Sequence, residues 1–476
     1  MARRTPALRS AMLLLALAVA VPASAQIPLQ ARVEARLAEA GPGTRFGLVV
    51  ADPEGRELVA IAPEGRFMPA SNTKILTTAA AFAMLPGLDA PDTAGGTAVR
   101  LEGKGARTDV VLEGRGDARL SSAPDCVTDC LAALADAVAA RTRRVRNVTG
   151  DDSLFPDQRW SPGMSWNNLV TRYGTATSAL TLDDNEITVT VRPAAAGQAP
   201  TLAHNAYYSI ENSARTAPAG TPATLGVDRL PGTMILRLTG TIPEGAEAQP
   251  LRVAIDDPAH YAAWRFRQLL QARGVKVTGT VAARHRPLEA AAPAPRPALA
   301  RLTPPPLRDD IALTNKISQN LHAELLLRRI ALQRGTGALA DGVAAVGSVL
   351  EEAGVPRTAW DISDGSGMST YNRLAPRFMV RLLRWTAAQP WGEAYRATFP
   401  IAGADGTLAR RFKGTSLEGK LFAKTGSLNA TTALSGWLVA KSGRVLTFSA
   451  FANDIPEGAT AAPAIDGALL IVAENN

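Results

Sequence analysis

Two short motifs, far apart in the chain, could together form a nucleophile site. Residues 71–74 are the only Ser-x-x-Lys sequence, and residues 424–426 are the only Lys-Thr-Gly sequence. Residues three apart share one face of a helix, so the amine of Lys74 can reach the hydroxyl of Ser71 and accept its proton. That transfer needs a lowered Lys74 pKa, which burial and a second cation would provide. We expect Lys424 to be that cation.

A third motif, Ser318-Gln319-Asn320, could complete the site. The Ser-x-Asn pattern also occurs at residues 165–167 and 427–429. We select residues 318–320 because they lie between the other two motifs, at a point where one helix could end and the next begin. The alternative is that Ser318 only caps a helix over residues 321–330.

The Lys-Thr-Gly sequence could bind a carboxylate at the end of a strand. Gly426 would let a substrate approach the strand edge, while Lys424 and Thr425 would present a cation and a hydroxyl. An ordinary turn is the alternative. At the other motif, Ser71 would open an apolar helix over residues 75–85, where free backbone N–H groups and the helix dipole favour negative charge.

Elements at both ends of the chain predict one layered domain built from the two termini. Near the start we predict a helix and two strands, at residues 30–40, 46–52 and 58–63. Near the end we predict three strands and a closing helix, at residues 421–425, 432–439, 445–452 and 461–474. Helical stretches at 309–334, 339–353 and 376–389 would form the helical layer.

The long stretch between Ser71 and Ser318 predicts an insertion, because consecutive helices need far shorter connections. It contains predicted strands at 108–112, 187–191, 233–239 and 275–282, and predicted helices at 131–140 and 258–273. The Ala- and Pro-rich residues 288–306 would be the return linker. We therefore expect residues 26–95 and 285–476 to form one domain and residues 96–284 to be inserted into it.

Composition and charge exclude several function classes. The chain has 476 residues and a net charge of +8, which suits an anionic partner such as an envelope polymer. The Lys and Arg residues are dispersed, so no nucleic-acid partner is expected. The four His and two Cys residues show no metal-ligand spacing, so we expect neither a metal nor a cofactor. Cys126 and Cys130 could form a local disulfide or remain two free thiols.

The first 25 residues have the pattern of a secretory signal peptide. Arg3, Arg4 and Arg9 precede an apolar stretch at residues 11–21, and Ala-Ser-Ala at 23–25 is a small-residue cleavage site. The apolar stretch is shorter than the about 20 residues that a membrane-spanning helix needs. We expect cleavage after Ala25 and a periplasmic or secreted mature protein with no integral membrane segment.

The three motifs together resemble those of the class C low-molecular-mass penicillin-binding proteins, which are exported D-alanyl-D-alanine carboxypeptidases and endopeptidases. Residues 364–369, Asp-Gly-Ser-Gly-Met-Ser, and residues 371–374, Tyr-Asn-Arg-Leu, resemble a loop of that family. Residues 150–153 and 178–180 resemble its inserted domain. The resemblance implies an α/β (α+β) fold, with a transpeptidase- or β-lactamase-like domain of antiparallel sheet and helical layer. It also implies a smaller domain, near residues 185–255, nested in the insertion.

The resemblance implies a role for each motif residue in cleaving peptidoglycan stem peptides. Ser71 would attack the carbonyl between two D-alanines and would also be acylated by β-lactams, with Lys74 as the general base. Ser318 would relay the proton to the leaving amine. Asn320 would hydrogen-bond Lys74 and the substrate amide.

The resemblance also assigns the carboxylate site and the oxyanion hole. Lys424 and Thr425, followed by Gly426, would hold the substrate carboxylate. The backbone N–H groups of Ser71 and Ser427 would stabilise the oxyanion, at about 3 kcal/mol per donor.

Two positions depart from the family pattern. Gln319, in the middle of the second motif, stands where an acidic residue is common, and we expect little effect because its neighbours carry the chemistry. Asn168, in the sequence Trp-Asn-Asn at 166–168, stands where the resemblance implies an Asp that receives the ammonium of a diamino-acid side chain. Recognition of that side chain would then be weaker, or Asp151 or Asp152 would serve instead.

Two alternative functions share these motifs. A β-lactamase uses the same nucleophile but needs an extra base, and no Glu-x-x-Leu-Asn segment occurs. A non-catalytic sensor of penicillin or peptidoglycan would need the same residues and is the second alternative.

Overall fold

A five-stranded antiparallel sheet lies at the centre of the computed structural model, which describes residues 27–476. The predicted signal peptide, residues 1–25, lies outside the described residues. Two strands come from the start of the chain and three from its end, as the sequence predicts for a sheet built from the two termini. The sheet order is Glu57–Ile61, Arg45–Ala51, Val445–Asn453, Thr431–Val439 and Leu421–Leu428.

The helices are numbered in chain order through residues 27–476. They are α1 (Leu29–Ala38), α2 (Thr73–Met84), α3 (Leu131–Arg141), α4 (Pro258–Ala272), α5 (Leu307–Lys316), α6 (Asn320–Ala331), α7 (Leu339–Glu352), α8 (Pro376–Ala387), α9 (Gly392–Ala397) and α10 (Ala462–Glu474).

Helices cover both faces of the central sheet, which explains the nearly continuous apolar sequence of its strands. On one face, Phe448 lies in a cluster with Val33 of α1 and Leu469 of α10. On the other face, Phe451 lies in a cluster with Ile75 of α2. Phe448 and Phe451 are an odd number of residues apart, so the pleat of the strand directs them to opposite faces. The sheet therefore holds α2, with Ser71 before it, against its second face.

The predicted helical stretch at 309–334 is two helices, α5 and α6, separated at residues 317–319. Ser318 has a φ of +63°, a left-handed conformation that interrupts a right-handed helix. The cap of α6 is Gln319, whose side chain accepts a hydrogen bond from the Leu321 N–H at 3.1 Å. The alternative in which Ser318 only caps this helix is therefore wrong.

A second sheet, with its own apolar core, is formed mainly by residues between Ser71 and Ser318. Its pairs are both parallel and antiparallel, and α3 and α4 pack beside it with Leu134 and Phe266 in the core. The sheet order is Val281–Arg286, Val148–Pro156, Asp109–Glu113, Ala98–Glu102 and Ala300–Arg301.

Two predictions about this region need correction. The predicted strand at 275–282 is two strands, Lys276–Val277 and Val281–Arg286, because the Gly279 N–H donates to the Arg146 carbonyl and the chain turns there. The predicted linker at 288–306 contains a short strand of the second sheet. The remaining strands are Arg144–Val145, Glu186–Arg192, Thr201–Ala203, Ser209–Asn212, Arg215–Ala217, Gly226–Asp228, Ile235–Thr239, Thr241–Pro243, Gln249–Ala254, Trp360–Asp361 and Arg373–Leu374.

Cys126 and Cys130 form a disulfide, so the alternative of two free thiols is wrong. The bond closes the short loop that leads directly into α3. Of the helices between residues 27 and 476, none has the length and apolar character that a membrane crossing requires.

Candidate active site

Ser71 lies in a short 3-10 turn, Ala70–Asn72, that leads directly into α2. Ala70 has a φ of +47°, which is uncommon for a residue with a side chain and is a kind of strain found at functional sites. Gly367 packs against this turn with a φ of +88°, and a Cβ at that position would overlap the Ala70 carbonyl. Glycine is therefore required where the 364–369 loop supports the Ser71 turn.

Lys74 is fully buried, and its amine contacts three oxygens. The Nζ atom lies 3.0 Å from Ser71 Oγ, 2.7 Å from Asn320 Oδ1 and 2.6 Å from the Ser366 carbonyl oxygen. The amide and carbonyl oxygens can only accept, so they engage two N–H groups of the amine. In the neutral amine the remaining lone pair then faces the Ser71 hydroxyl, which is the geometry of a general base.

Burial lowers the pKa of Lys74 to about 7, against opposing effects of the Asp364 and Glu324 carboxylates. A substantial fraction of the amine is therefore neutral near neutral pH, as a general base requires. Burial, one of the two causes expected from the sequence, accounts for this lowered pKa, whereas the expected contribution of the Lys424 charge is wrong. The effect of one lysine on the other falls on Lys424, whose pKa lies well below its usual value because of burial and the Lys74 charge.

Ser318 and Lys424 form a second serine–lysine pair. Lys424 is fully buried, and its Nζ donates to Ser318 Oγ at 2.9 Å and to the Thr425 carbonyl at 3.0 Å. The left-handed backbone at Ser318 separates α5 from α6 at this contact. The Lys424 amine thus lies beneath the Ser318 hydroxyl and the Thr425 carbonyl rather than on the cleft surface.

The Lys-Thr-Gly motif lies within the edge strand Leu421–Leu428, not at the strand end that the sequence suggested. The strand passes close to the nucleophile: a Cβ added to Gly426 would lie 3.1 Å from the Ser71 backbone nitrogen. Thr425 Oγ1 donates to Thr407 Oγ1 at 2.8 Å, which fixes the hydroxyl at the cleft. Ser427 follows on the same strand and also lines the cleft.

Asn320, the first residue of α6, connects the base to the backbone at Tyr173. Its Oδ1 accepts from Lys74, and its Nδ2 donates to the Tyr173 carbonyl at 2.9 Å. The turn Arg172–Gly174 is thereby held beside the nucleophile.

These elements surround an open cleft of about 560 Å³. Ser71 lies in it together with the polar residues of all three motifs, and no Asp or Glu of the described residues lines it. The lining residues are Met68, Ser71, Ser165, Asn168, Arg172, Tyr173, Ile317, Ser318, Gln319, Asn320, Met368, Thr370, Thr407, Thr425, Gly426, Ser427, Leu428 and Asn429.

Asn168 lines this cleft, whereas the two suggested substitutes do not. Asp151 is buried and pairs with Arg100 at 2.8 Å and Arg284 at 3.0 Å. Asp152 is buried and accepts from His285 at 2.9 Å. The suggestion that either acid reads a substrate side chain is therefore wrong.

The 364–369 loop is held by its first residue. Asp364 accepts hydrogen bonds from the Gly367 N–H at 2.9 Å and the Ser369 N–H at 2.6 Å, and Asn372 Nδ2 donates to it at 2.6 Å. These contacts fix the turn that carries the Ser366 carbonyl to Lys74.

Glu324 of α6 is the residue near the base that the sequence reasoning missed. It is buried, and burial together with the Asp364 charge raises its pKa to about 7. An acid between the apolar residues Ala323 and Leu325, one turn after Asn320, is the signal available in the sequence. Among residues 27–476, no group of His, Cys, Asp or Glu side chains is arranged to hold a metal ion.

Comparison with known proteins agrees with this geometry. Residues 29–475 match the model of the D-Ala-D-Ala carboxypeptidase 3 (S13) family. The chain belongs to the S13 family. One relative, the D-alanyl-D-alanine carboxypeptidase of Actinomadura sp. strain R39, is 32% identical over 432 residues, which are 86% of this chain and 78% of the relative. The family predicted from the sequence is confirmed.

Solved structures show that the S13 fold is shared. Penicillin-binding protein 4 (DacB) from Haemophilus influenzae is 22% identical and superposes with a TM-score of 0.80 over 92% of this chain and 97% of that chain. A second structure of the same protein, in complex with a β-lactam, gives a TM-score of 0.73 with the same identity and coverage. The predicted fold class is confirmed.

Proposed function

We propose that this S13 protein is a serine DD-peptidase that hydrolyses the bond between two D-alanines of peptidoglycan stem peptides through an acyl-enzyme on Ser71. One observation carries this proposal. The Lys74 amine has two N–H groups engaged by Asn320 and Ser366, so its third position faces Ser71 Oγ at 3.0 Å. Family membership supplies the substrate class.

In the acylation step, neutral Lys74 takes the proton of the Ser71 hydroxyl as Oγ attacks the carbonyl carbon. The tetrahedral oxyanion accepts hydrogen bonds from the backbone N–H groups of Ser71 and Ser427, each about 3 kcal/mol in comparable sites. This assignment is supported by the close approach of Gly426, the residue before Ser427, to the Ser71 turn, where a Cβ on Gly426 would lie 3.1 Å from the Ser71 nitrogen.

In the same step the C–N bond breaks and the leaving amine needs a proton. Ser318 donates its hydroxyl proton and is resupplied by Lys424, whose amine lies 2.9 Å away. The free carboxylate of the terminal D-alanine is bound by the Thr425 hydroxyl and by the Lys424 charge beneath it. After acylation Lys74 holds the Ser71 proton and Lys424 has given one up, and proton exchange with solvent in the open cleft restores both amines. Water then attacks the ester carbonyl while neutral Lys74 takes its proton, and this proton passes to Ser71 Oγ as the shortened peptide leaves.

The inserted region, which we assign to residues 96–284, forms one wall of the substrate cleft. Ser165, Asn168, Arg172 and Tyr173 line that wall. Asn168 offers a neutral amide in the position where a carboxylate would bind a substrate ammonium. The wall therefore favours stem peptides whose side-chain amine is not a free ammonium. Peptidoglycan lies outside the cytoplasm, so cleavage after Ala25 and a periplasmic or secreted location agree with this substrate.

The experiment is intact-mass measurement after incubation with penicillin and, separately, with a D-Ala-D-Ala peptide, followed by peptide mapping. We expect penicillin to add covalently to the peptide that contains Ser71, and the D-Ala-D-Ala peptide to lose one alanine. Ser71→Ala should lose both reactions, whereas Ser442→Ala, in an exposed turn, should retain them. Full labelling of Ser71→Ala would show that another residue is the nucleophile.

A further inference from the structure

Glu324 has no role in the reaction described above, yet it contacts the loop that holds the base. Its Oε1 accepts hydrogen bonds from the backbone N–H groups of Gly365 at 3.0 Å and Ser366 at 2.9 Å. Its Oε2 is buried and has no hydrogen-bond partner among residues 27–476. A buried carboxyl that is only half satisfied is costly, so its retention beside the base needs a reason.

The two hydrogen bonds determine where the Ser366 carbonyl points. Because one acceptor binds both consecutive N–H groups, it restricts rotation of the peptide units around Gly365 and Ser366. The Gly365 carbonyl is held separately by Thr77 Oγ1 of α2 at 2.8 Å. With these peptide units fixed, the Ser366 carbonyl lies 2.6 Å from Lys74 Nζ.

α6 carries two side chains that act on the same amine. Asn320 and Glu324 are four residues apart and therefore share one face of the helix. Asn320 contacts Lys74 Nζ directly, whereas Glu324 acts through the Ser366 peptide.

We propose that Glu324 is a positioning residue for Lys74: it orients the Ser366 carbonyl onto one N–H group of the amine and places a carboxylate charge in the same buried cluster. This role rests on Ser71 and Lys74 acting as proposed above. Because the fixed Ser366 carbonyl accepts one N–H of the neutral amine, the lone pair of Lys74 Nζ points toward Ser71 Oγ and not toward the 364–369 loop.

The charges around Glu324 explain why its ionisation matters for the base. Asp364 lies nearby and, after burial, is the main cause of the raised Glu324 pKa, while the Arg328 charge opposes it. The Arg328 guanidinium is itself held by Gln158, at 3.0 Å from the side-chain oxygen. Asp364 and Glu324 both raise the Lys74 pKa against burial. Removing the Glu324 charge therefore disfavours the ammonium form of Lys74.

The test is the pH dependence of Ser71 acylation by penicillin, measured from pH 5 to 9 by rapid mixing. Glu324→Gln keeps an oxygen that accepts from both N–H groups but removes the charge. We expect its rate at high pH to stay close to that of the wild type, and the acid limb of its profile to move to lower pH by about 1 unit. A limb that is unchanged, or moved to higher pH, would overturn the proposal.

A second variant tests the orientation of the carbonyl. Glu324→Ala removes the acceptor, so the acylation rate at saturating penicillin should fall at least 10-fold while the apparent binding constant changes little. Glu324→Gln should recover most of that rate. An alanine variant that is acylated at the wild-type rate would also overturn the proposal.

Asp310→Asn is the matched control, because Asp310 is another buried acid, on the neighbouring helix α5, that faces Arg119 and His322. It should leave the acid limb in place. Acylation of the wild-type protein distinguishes a failure of the proposed function from a failure of the positioning role of Glu324. If Ser71 is not acylated in the wild type, the proposed function fails, whereas acylation without the Glu324→Gln shift refutes only the positioning role.

Discussion

Lys74 and Lys424 are both fully buried, yet each amine contacts a different serine of the cleft. Lys74 Nζ lies 3.0 Å from Ser71 Oγ, and Lys424 Nζ lies 2.9 Å from Ser318 Oγ. The two charges still interact, since the Lys74 charge lowers the pKa of Lys424. Two lysines that contact two serines can be assigned to two separate proton transfers within acylation.

The first prediction concerns this division between the lysines. Lys74→Ala should lower the acylation rate at saturating substrate by about 10²- to 10⁴-fold, because the general base is lost. Lys424→Ala should raise KM for a D-Ala-D-Ala peptide, since a charge-assisted carboxylate interaction contributes about 1.5–3 kcal/mol, and should lower kcat less than Lys74→Ala does, because only the resupply of the Ser318 proton is lost. Steady-state kcat and KM, with penicillin acylation rates, measure both effects. Equal losses of kcat with unchanged KM in both variants would contradict the assignment.

The second prediction concerns pH. Below about pH 7 the Lys74 amine is protonated and cannot accept the Ser71 proton, so acylation should rise with pH through that value and then level off. The rate constant for penicillin acylation between pH 5 and 9 measures this limb. A solvent-exposed lysine, with an unperturbed pKa, would place the limb above pH 10. A rate that still rises steeply at pH 9 would show that burial does not lower the Lys74 pKa.

The third prediction concerns the wall of the cleft at Asn168. Asn168→Asp should improve kcat/KM for peptides with a free side-chain amine relative to N-acetylated peptides. The gain should correspond to about 1–3 kcal/mol, the range of a charge-assisted hydrogen bond. Asn429→Asp places the same charge elsewhere in the cleft and is the control. A ratio that stays the same in Asn168→Asp, or that changes equally in both variants, would mean that Asn168 does not read this side chain.

The fourth prediction concerns the contact between Gly367 and the Ser71 turn. Gly367→Ala adds a Cβ that overlaps the Ala70 carbonyl, so the turn must shift and penicillin acylation should fall by at least about 10-fold, the loss expected when a base is moved out of position. Gly443→Ala is the matched control, because Gly443 also has a positive φ, of +85°, but meets no atom within 4 Å. It should lose stability from backbone strain and keep its acylation rate.

Sequence patterns predict the elements whose apolar residues follow a regular strand or helix pattern. The apolar runs of the terminal strands and of α2 predicted the central sheet and the position of Ser71. The distance between Ser71 and Ser318 predicts an insertion at residues 96–284, which stays a prediction. The sequence predicts that the strand ends near Lys424, but pairing with Thr431–Val439 extends it to Leu428. Strand length depends on such partners, which a local pattern does not show.

The sequence did not reveal contacts that depend on the tertiary fold. Glu324 binds Gly365 and Ser366, some 40 positions further along the chain, and no local period links them. Asp151 is a wrong candidate for substrate binding because it pairs with Arg100 and Arg284. Both arginines belong to other strands, so no local sequence pattern reveals these ion pairs. The strand predicted at 275–282 is interrupted at Gly279, whose hydrogen-bond partner, Arg146, lies some 130 positions earlier in the chain.

The central sheet places Arg45–Ala51 directly beside Val445–Asn453. Because of this pairing, a chain that is still emerging from the ribosome or from a translocation channel cannot complete the sheet until its last 30 or so residues arrive, and domains fold N-terminal first during synthesis. The second sheet has its own core and does not share this delay. Ser71 is therefore synthesised early, whereas the strand that carries Lys424 joins the sheet only when the C-terminal strands are present. Chains truncated before those strands should have no acylation activity.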